Sequence, residues 1–175
     1  VGKSALIHEV HKPITKARGY FISGKFDQFQ RNVPYSGLVA AVRDLVRQLL
    51  TESETRLAVW RRDLTDALAP NARVILDVLP DLELIIGPQP AVPELGPAEA
   101  TNRFNRAIGQ LLRALCAHDR VIALFLDDLQ WADSATLALL RVVLTDDGIN
   151  RLFLIGAYRD NEVDAMHPLS MTLRG

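Results

Sequence analysis

Apolar positions along the chain alternate between two spacings. Leu38, Val42, Leu45, Val46 and Leu49 fall on one face at helical spacing, which predicts an amphipathic helix that Ser36 can cap. Leu57, Trp60, Leu64 and Leu68 predict a second helix, stopped by Pro70. Residues 72–79 read as a shorter helix stopped by Pro80, and Phe104, Ile108, Leu111, Leu112 and Leu115 mark a long one. A helix is expected over residues 4–11, because Pro13 argues against its running far past Lys12.

Between the helices lie runs of another kind. Residues 19–24 form a short β-rich run bounded by glycines, which predicts a strand. Residues 121–126 are continuously apolar, with the β-branched and aromatic content of a buried parallel strand. Residues 152–158 read as a second buried strand. Between those two, Asp133 or Ser134 can cap a helix that carries Leu137, Leu140, Val143 and Leu144. Residues 25–34 read as a polar loop with aromatic anchors, and residues 87–97, with four prolines and two glycines, as another loop. Strands alternate with helices and the central strands are apolar throughout, so the expected class is α/β, a parallel sheet covered on both faces.

Composition narrows this picture only at the margins. The 175 residues are enough for one domain, and 49% are apolar, enough for a core. A net charge of −1 without a dominant basic stripe gives no reason to expect nucleic acid as a partner. No apolar run reaches the roughly 18 residues of a membrane span. The single cysteine, Cys116, lies within an apolar helical pattern and is expected to be a buried, inert thiol, compatible with a reducing, cytoplasmic setting. The chain begins Val1-Gly2-Lys3-Ser4 and ends Leu173-Arg174-Gly175, and both ends read as cuts through a longer protein.

Three short segments carry candidate chemistry. Gly2-Lys3-Ser4 matches the end of G-x-x-x-x-G-K-[ST], the loop whose backbone N–H groups wrap phosphates. In that reading Lys3 reaches the β- and γ-phosphates and Ser4 binds Mg²⁺; the alternative is a surface lysine ahead of a capped helix. Asp127 and Asp128 follow the apolar strand directly, where a carboxylate could hold Mg²⁺ (Asp127) and another could activate water (Asp128). Their alternative is a turn with a capping aspartate, a task for which Asp133 and Ser134 are already available. Arg159, after the last strand, could sense the nucleotide or stabilise transferred charge, or be a solvated loop residue. His8 and His11 lie three apart on the first helix, but no further ligand pattern supports a metal site there.

Together, Gly2-Lys3-Ser4, the run Leu126-Asp127-Asp128-Leu129-Gln130-Trp131-Ala132-Asp133 and Gly156-Ala157-Tyr158-Arg159 resemble the motifs of the STAND class, signal-transduction ATPases related to the AAA superfamily. Ser23-Gly24-Lys25-Phe26-Asp27-Gln28-Phe29, followed by Val33-Pro34-Tyr35-Ser36, is closer still to the ATPase module of very large bacterial sensor proteins, beside Ser/Thr kinase-like, sensor and histidine-kinase domains. The resemblance covers nearly the whole chain. It implies a three-layer, ASCE-type P-loop NTPase of sheet order 5-1-4-3-2, with strands 2, 3 and 4 near residues 18–24, 121–127 and 152–158. Strands 1 and 5 would lie beyond Val1 and Gly175, so this partial domain, residues 1–175, is expected to be inactive in isolation. Strand 4 would then expose an apolar edge.

The resemblance also implies ATP and Mg²⁺ as cofactors and neighbouring kinase and sensor domains as partners, and leaves room for a nucleotide-dependent oligomer. By it, Gly2, Lys3 and Ser4 contact phosphate and Mg²⁺, Asp127 takes the Mg²⁺ role, Asp128 the water-activating role and Arg159 the sensor role. Lys25 and Asp27 line the site or belong to a structured surface loop, and Trp131 packs the loop after Asp128 rather than stacking on a base. The leading expectation is an ATPase switch that hydrolyses slowly. The alternatives are a nucleotide-dependent scaffold without turnover and the ATPase module of a transcription regulator of the same class.

Overall fold

A computed structural model of the chain describes residues 9–10, 12–14, 16–30 and 33–174. The expectations for Gly2, Lys3, Ser4, His8 and His11 therefore lie outside the described residues. Three strands form one parallel sheet in the order β1 (Tyr20–Lys25), β2 (Ile122–Asp127), β3 (Leu152–Gly156). The pairing runs from Tyr20↔Ile122 to Lys25↔Asp127 on one side of β2 and from Ile122↔Leu152 to Leu126↔Gly156 on the other. This is the expected order of strands 2, 3 and 4. Because the strands are parallel and in step, their C-terminal ends share one rim, and whatever follows Lys25, Asp127 and Gly156 is gathered there.

Burial along the strands follows their place in the sheet. Ile122, Ala123, Leu124, Phe125 and Leu126 are all buried, so both faces of β2 are covered. β1 alternates, with Tyr20, Ile22 and Gly24 inside. β3 departs from the reading of residues 152–158 as a buried strand. It spans five residues, stands at the edge of the described sheet, and leaves Phe153 52% exposed. Its apolar run marks a sheet strand without specifying how many neighbours cover it.

After β1, the α-helices among the described residues are α1 (Ser36–Leu49), α2 (Glu54–Leu68), α3 (Ala72–Leu76), α4 (Glu83–Ile86), α5 (Pro97–Cys116), α6 (Ser134–Leu144) and α7 (Pro168–Arg174). The face of α1 predicted from spacing is buried, and so are Trp60, Leu64 and Leu68 of α2 and Ile108, Leu111, Leu112 and Leu115 of α5. α5 starts with Pro97, whose missing N–H costs nothing at that position, and Gly96 N–H donates to Glu99 Oε2 at 3.3 Å. Cys116 is buried, and burial pushes its thiol up to about 11, as an inert core thiol requires.

Several boundaries differ from the sequence reading. The described residues from 9 to 16 are helical, so Pro13 does not stop that helix. Proline takes its own N–H out of the helical ladder, but its carbonyl still accepts from Ala17 N–H at 2.9 Å. The stop comes at Arg18, at φ 56°, where Gly19 N–H donates back to the Ile14 carbonyl at 2.9 Å. Ser36 begins α1 but does not cap it: Tyr35 precedes it at φ 62° with no side-chain cap. α3 ends at Leu76, short of Pro80, which instead opens a turn (Pro80–Leu82) leading into α4, an element absent from the sequence reading. In the loop after β1, Phe26 is buried but Phe29 is 85% exposed, so one aromatic anchors it rather than two. Leu144 is exposed at the end of α6.

The rim where the strands begin is closed by a polar cluster. Arg120 Nη1 donates to Glu52 Oε1 at 2.6 Å, and Tyr20 OH donates to the same oxygen at 2.8 Å. Burial first, then Glu52 beside it, pushes the Tyr20 phenol up to about 12. Trp60 packs on His118, ring centroids 3.6 Å apart. Among the described residues, no helix is long and apolar enough to cross a membrane.

Candidate functional site

The opposite rim gathers the sequence-predicted acids. Asp127 is the last residue of β2, paired in register with Lys25 of β1, and its carbonyl accepts Phe26 N–H at 3.1 Å. Its carboxylate Oδ1 accepts the N–H of Asp128 at 2.9 Å. Asp128 then leaves the strand in the left-handed region, φ 53° and ψ 44°. Aspartate tolerates that conformation better than most residues, though it still costs about 1–2 kcal/mol, which the surrounding contacts offset.

Asp128 is 4% exposed, a rare state for a carboxylate unless partners surround it. Lys25 Nζ stands 3.6 Å from Oδ2, and Arg159 Nε stands 3.6 Å from Oδ1. Gln130 Nε2 donates to Oδ1 at 3.3 Å. The three neighbours come from the end of β1, the turn after β2 and the segment after β3. All three strand ends thus meet at one carboxylate. Of the two loop candidates, Lys25 joins this cluster, whereas Asp27 accepts Phe29 N–H at 2.9 Å and orders its own turn.

Backbone contacts hold the rim in register beyond the strands. Ala157 N–H donates to the Leu126 carbonyl at 2.9 Å, and Leu129 N–H donates to the Ala157 carbonyl at 3.0 Å. Gly156 permits this approach, since a Cβ there would lie 2.5 Å from Leu129 Cδ1. The loop ahead of α1 is tied to the loop ahead of α6. Tyr35 N–H donates to Asp133 Oδ2 at 3.1 Å and to Thr136 Oγ1 at 3.2 Å. Asp133 Oδ1 also accepts Thr136 N–H at 2.9 Å, so of the two candidates Asp133 caps α6.

Arg159 is half exposed and anchored from two sides. Its Nη1 donates to Glu162 Oε1 at 3.0 Å, and its guanidinium carbon lies 5.1 Å from the centre of the Trp131 ring. Trp131 Nε1–H donates to Glu162 Oε2 at 3.1 Å, so Trp131 ties the turn after Asp128 to the segment after β3. Gln130 and Glu162 were missed as site residues. Gln130 lies two residues past Asp128 in a single turn (Leu129–Trp131), which puts its amide within reach, but nothing in its neighbours signals burial.

Chemically, the cluster is an acid pair at the end of a buried strand with two cations beside the inner acid. Asp127 offers hard oxygen donors of the kind Mg²⁺ takes. Among the described residues no group of three or more His, Cys, Asp or Glu is placed to hold a metal. A cation at Asp127 would therefore need oxygen donors from a ligand, from solvent or from residues outside that set, as Mg²⁺ with a bound phosphate has.

A family model, the AAA ATPase domain, matches residues 1–155. That span holds Gly2, Lys3, Ser4, Asp127 and Asp128 but ends before Arg159. The hybrid signal transduction histidine kinase G of Dictyostelium discoideum is 38% identical to this chain over 145 residues, 82% of the chain and 4% of that protein. The chain thus spans a small fraction of the length of that relative. No solved structure matches the chain.

Proposed function

This chain belongs to the AAA ATPase domain family, and on that premise we propose that it binds Mg·ATP where its parallel strands end and hydrolyses it slowly, as a switch within a larger kinase polypeptide. The observation that carries the reading is the convergence of Lys25, Asp128 and Arg159, from three strand ends, beside Asp127. Open parallel sheets bind ligands outside the carboxyl ends of their strands.

In this reading the Gly2 and Lys3 backbone and the Lys3 ammonium hold the β- and γ-phosphates. Ser4 and Asp127 hold Mg²⁺, which neutralises charge on the phosphates. Asp128 takes a proton from the water that attacks the γ-phosphorus in line, and ADP leaves. Arg159 reads the γ-phosphate from the end of β3. Residues 1–175 act as part of the domain, and the kinase named in the relative is the kind of output to which it would be joined.

One observation favours a second reading. Lys25 Nζ and Arg159 Nε stand 3.6 Å from the two oxygens of the Asp128 carboxylate, one at each, where they compete with an attacking water for it. In that case ATP would be a structural ligand of a signalling scaffold. A single-turnover assay on the full polypeptide separates the two: the switch converts bound ATP to ADP, whereas ATP that stays intact supports the scaffold. Lys3→Ala should weaken binding by at least about tenfold, or about 1.4 kcal/mol. Unchanged affinity in that variant would remove the phosphate-loop assignment from both readings.

A further inference from the structure

Gln130 is 3% exposed, and both ends of its amide are engaged. Its Oε1 accepts the backbone N–H of Arg159 at 3.2 Å, and its Nε2 donates to Asp128 Oδ1 at 3.3 Å. A backbone N–H can only donate, so it sets the amide oxygen on the β3 side and turns the NH₂ group toward the carboxylate. The orientation follows from the chemistry of the two partners.

Two other neighbours of the carboxylate act differently. Lys25 and Arg159 have side chains 69% and 51% exposed and stand at 3.6 Å, so they are charge contacts with no fixed direction. Gln130 makes a directional contact from a buried side chain, held by a segment on the neighbouring strand. Two hydrogen bonds thus link the main chain after β3 to one carboxylate oxygen after β2.

We propose that Gln130 is a positioning residue: it sets the Asp128 carboxylate for attack and transmits to it any shift of the Arg159 segment. This rests on the reading of Asp128 as the water-activating group. Gln130 is buried and acts through Asp128. Its role is to fix the orientation of the Asp128 carboxylate through Oδ1.

Two variants of similar size separate positioning from packing. Gln130→Met removes both hydrogen bonds, whereas Gln130→Glu keeps an acceptor for Arg159 N–H but turns an oxygen toward Asp128. In steady-state and single-turnover ATPase assays on the full polypeptide, each should lower kcat about tenfold, the value of a hydrogen bond to a charged group. KM should stay within about twofold, because substrate binding is not what the residue serves. Added to Asp128→Asn, either change should lower the residual rate no further.

A wild-type kcat in Gln130→Glu would overturn the proposal, as would a loss that multiplies unchanged in the Asp128→Asn background. If Asp128→Asn alone turns over ATP at the wild-type rate, the reading of Asp128 falls and this inference with it. If Asp128→Asn is impaired while the Gln130 variants are not, this inference alone falls.

Discussion

Gly24 and Gly37 meet backbone to backbone: a Cβ on Gly24 would stand 1.9 Å from the carbonyl oxygen of Gly37. A Cβ on Gly37 would in turn fall within 2.7–2.9 Å of the buried Phe26 ring. The two glycines let the start of α1 lie directly on the end of β1, which is where Lys25 is aimed at Asp128. Gly24→Ala must push main chain rather than a flexible side chain. We expect a loss of about 3 kcal/mol, at the upper end for overpacking, and a melting temperature lower by about 6–12 °C. Calorimetry on the purified protein checks it, and an unchanged melting temperature would mean the two elements are not in contact.

Asp133 serves two loops at once, capping α6 and accepting Tyr35 N–H. Asp133→Ala should cost about 2 kcal/mol, roughly one cap plus one hydrogen bond. Asp133→Asn, which keeps one of the two acceptor oxygens and turns an NH₂ toward the other donor, should cost about half of that, again by thermal or denaturant melting. Equal losses for the two variants would show that the shared acceptor is not what matters.

The fold was legible where apolar spacing was long and regular. The faces of α1, α2 and α5 and the run from Ile122 to Leu126 lie inside as their spacing requires. Ends were harder to read, because they depend on contacts distant in sequence. Ser36 looks like a cap, but the segment before it is held by Asp133 and Thr136, about a hundred residues away. Pro13 looks like a stop, yet the turn at Arg18 is what ends that helix. At the site, the acid pair was legible because two carboxylates directly after an apolar strand are hard to place otherwise. Gln130 and Glu162 were not, since their roles arise only once β2 and β3 lie side by side.

His118 supplies a pH test away from the acid cluster. Its Nε2 is buried 3.4 Å from Asp63 Oδ2 without forming a hydrogen bond. Burial holds its pKa below 6.5, against the opposing pull of Asp63 and Asp119. The unfolded chain then binds the proton more readily than the folded one. Stability is therefore lost as pH falls below the unfolded value of 6.5, and the loss levels off below the folded value. Between about pH 7 and pH 5, the melting temperature of the wild type should fall more steeply than that of His118→Gln. Parallel slopes for the two proteins would contradict this.

The convergence of three strand ends on Asp128 is tested most directly by single-turnover hydrolysis and ATP affinity measured side by side for the wild type and Asp128→Asn in the full polypeptide. We expect the dissociation constant to change by less than about threefold and the hydrolysis rate to fall by about a hundredfold or more, the usual worth of a general base. Hydrolysis at the wild-type rate in Asp128→Asn would contradict the role given to this carboxylate.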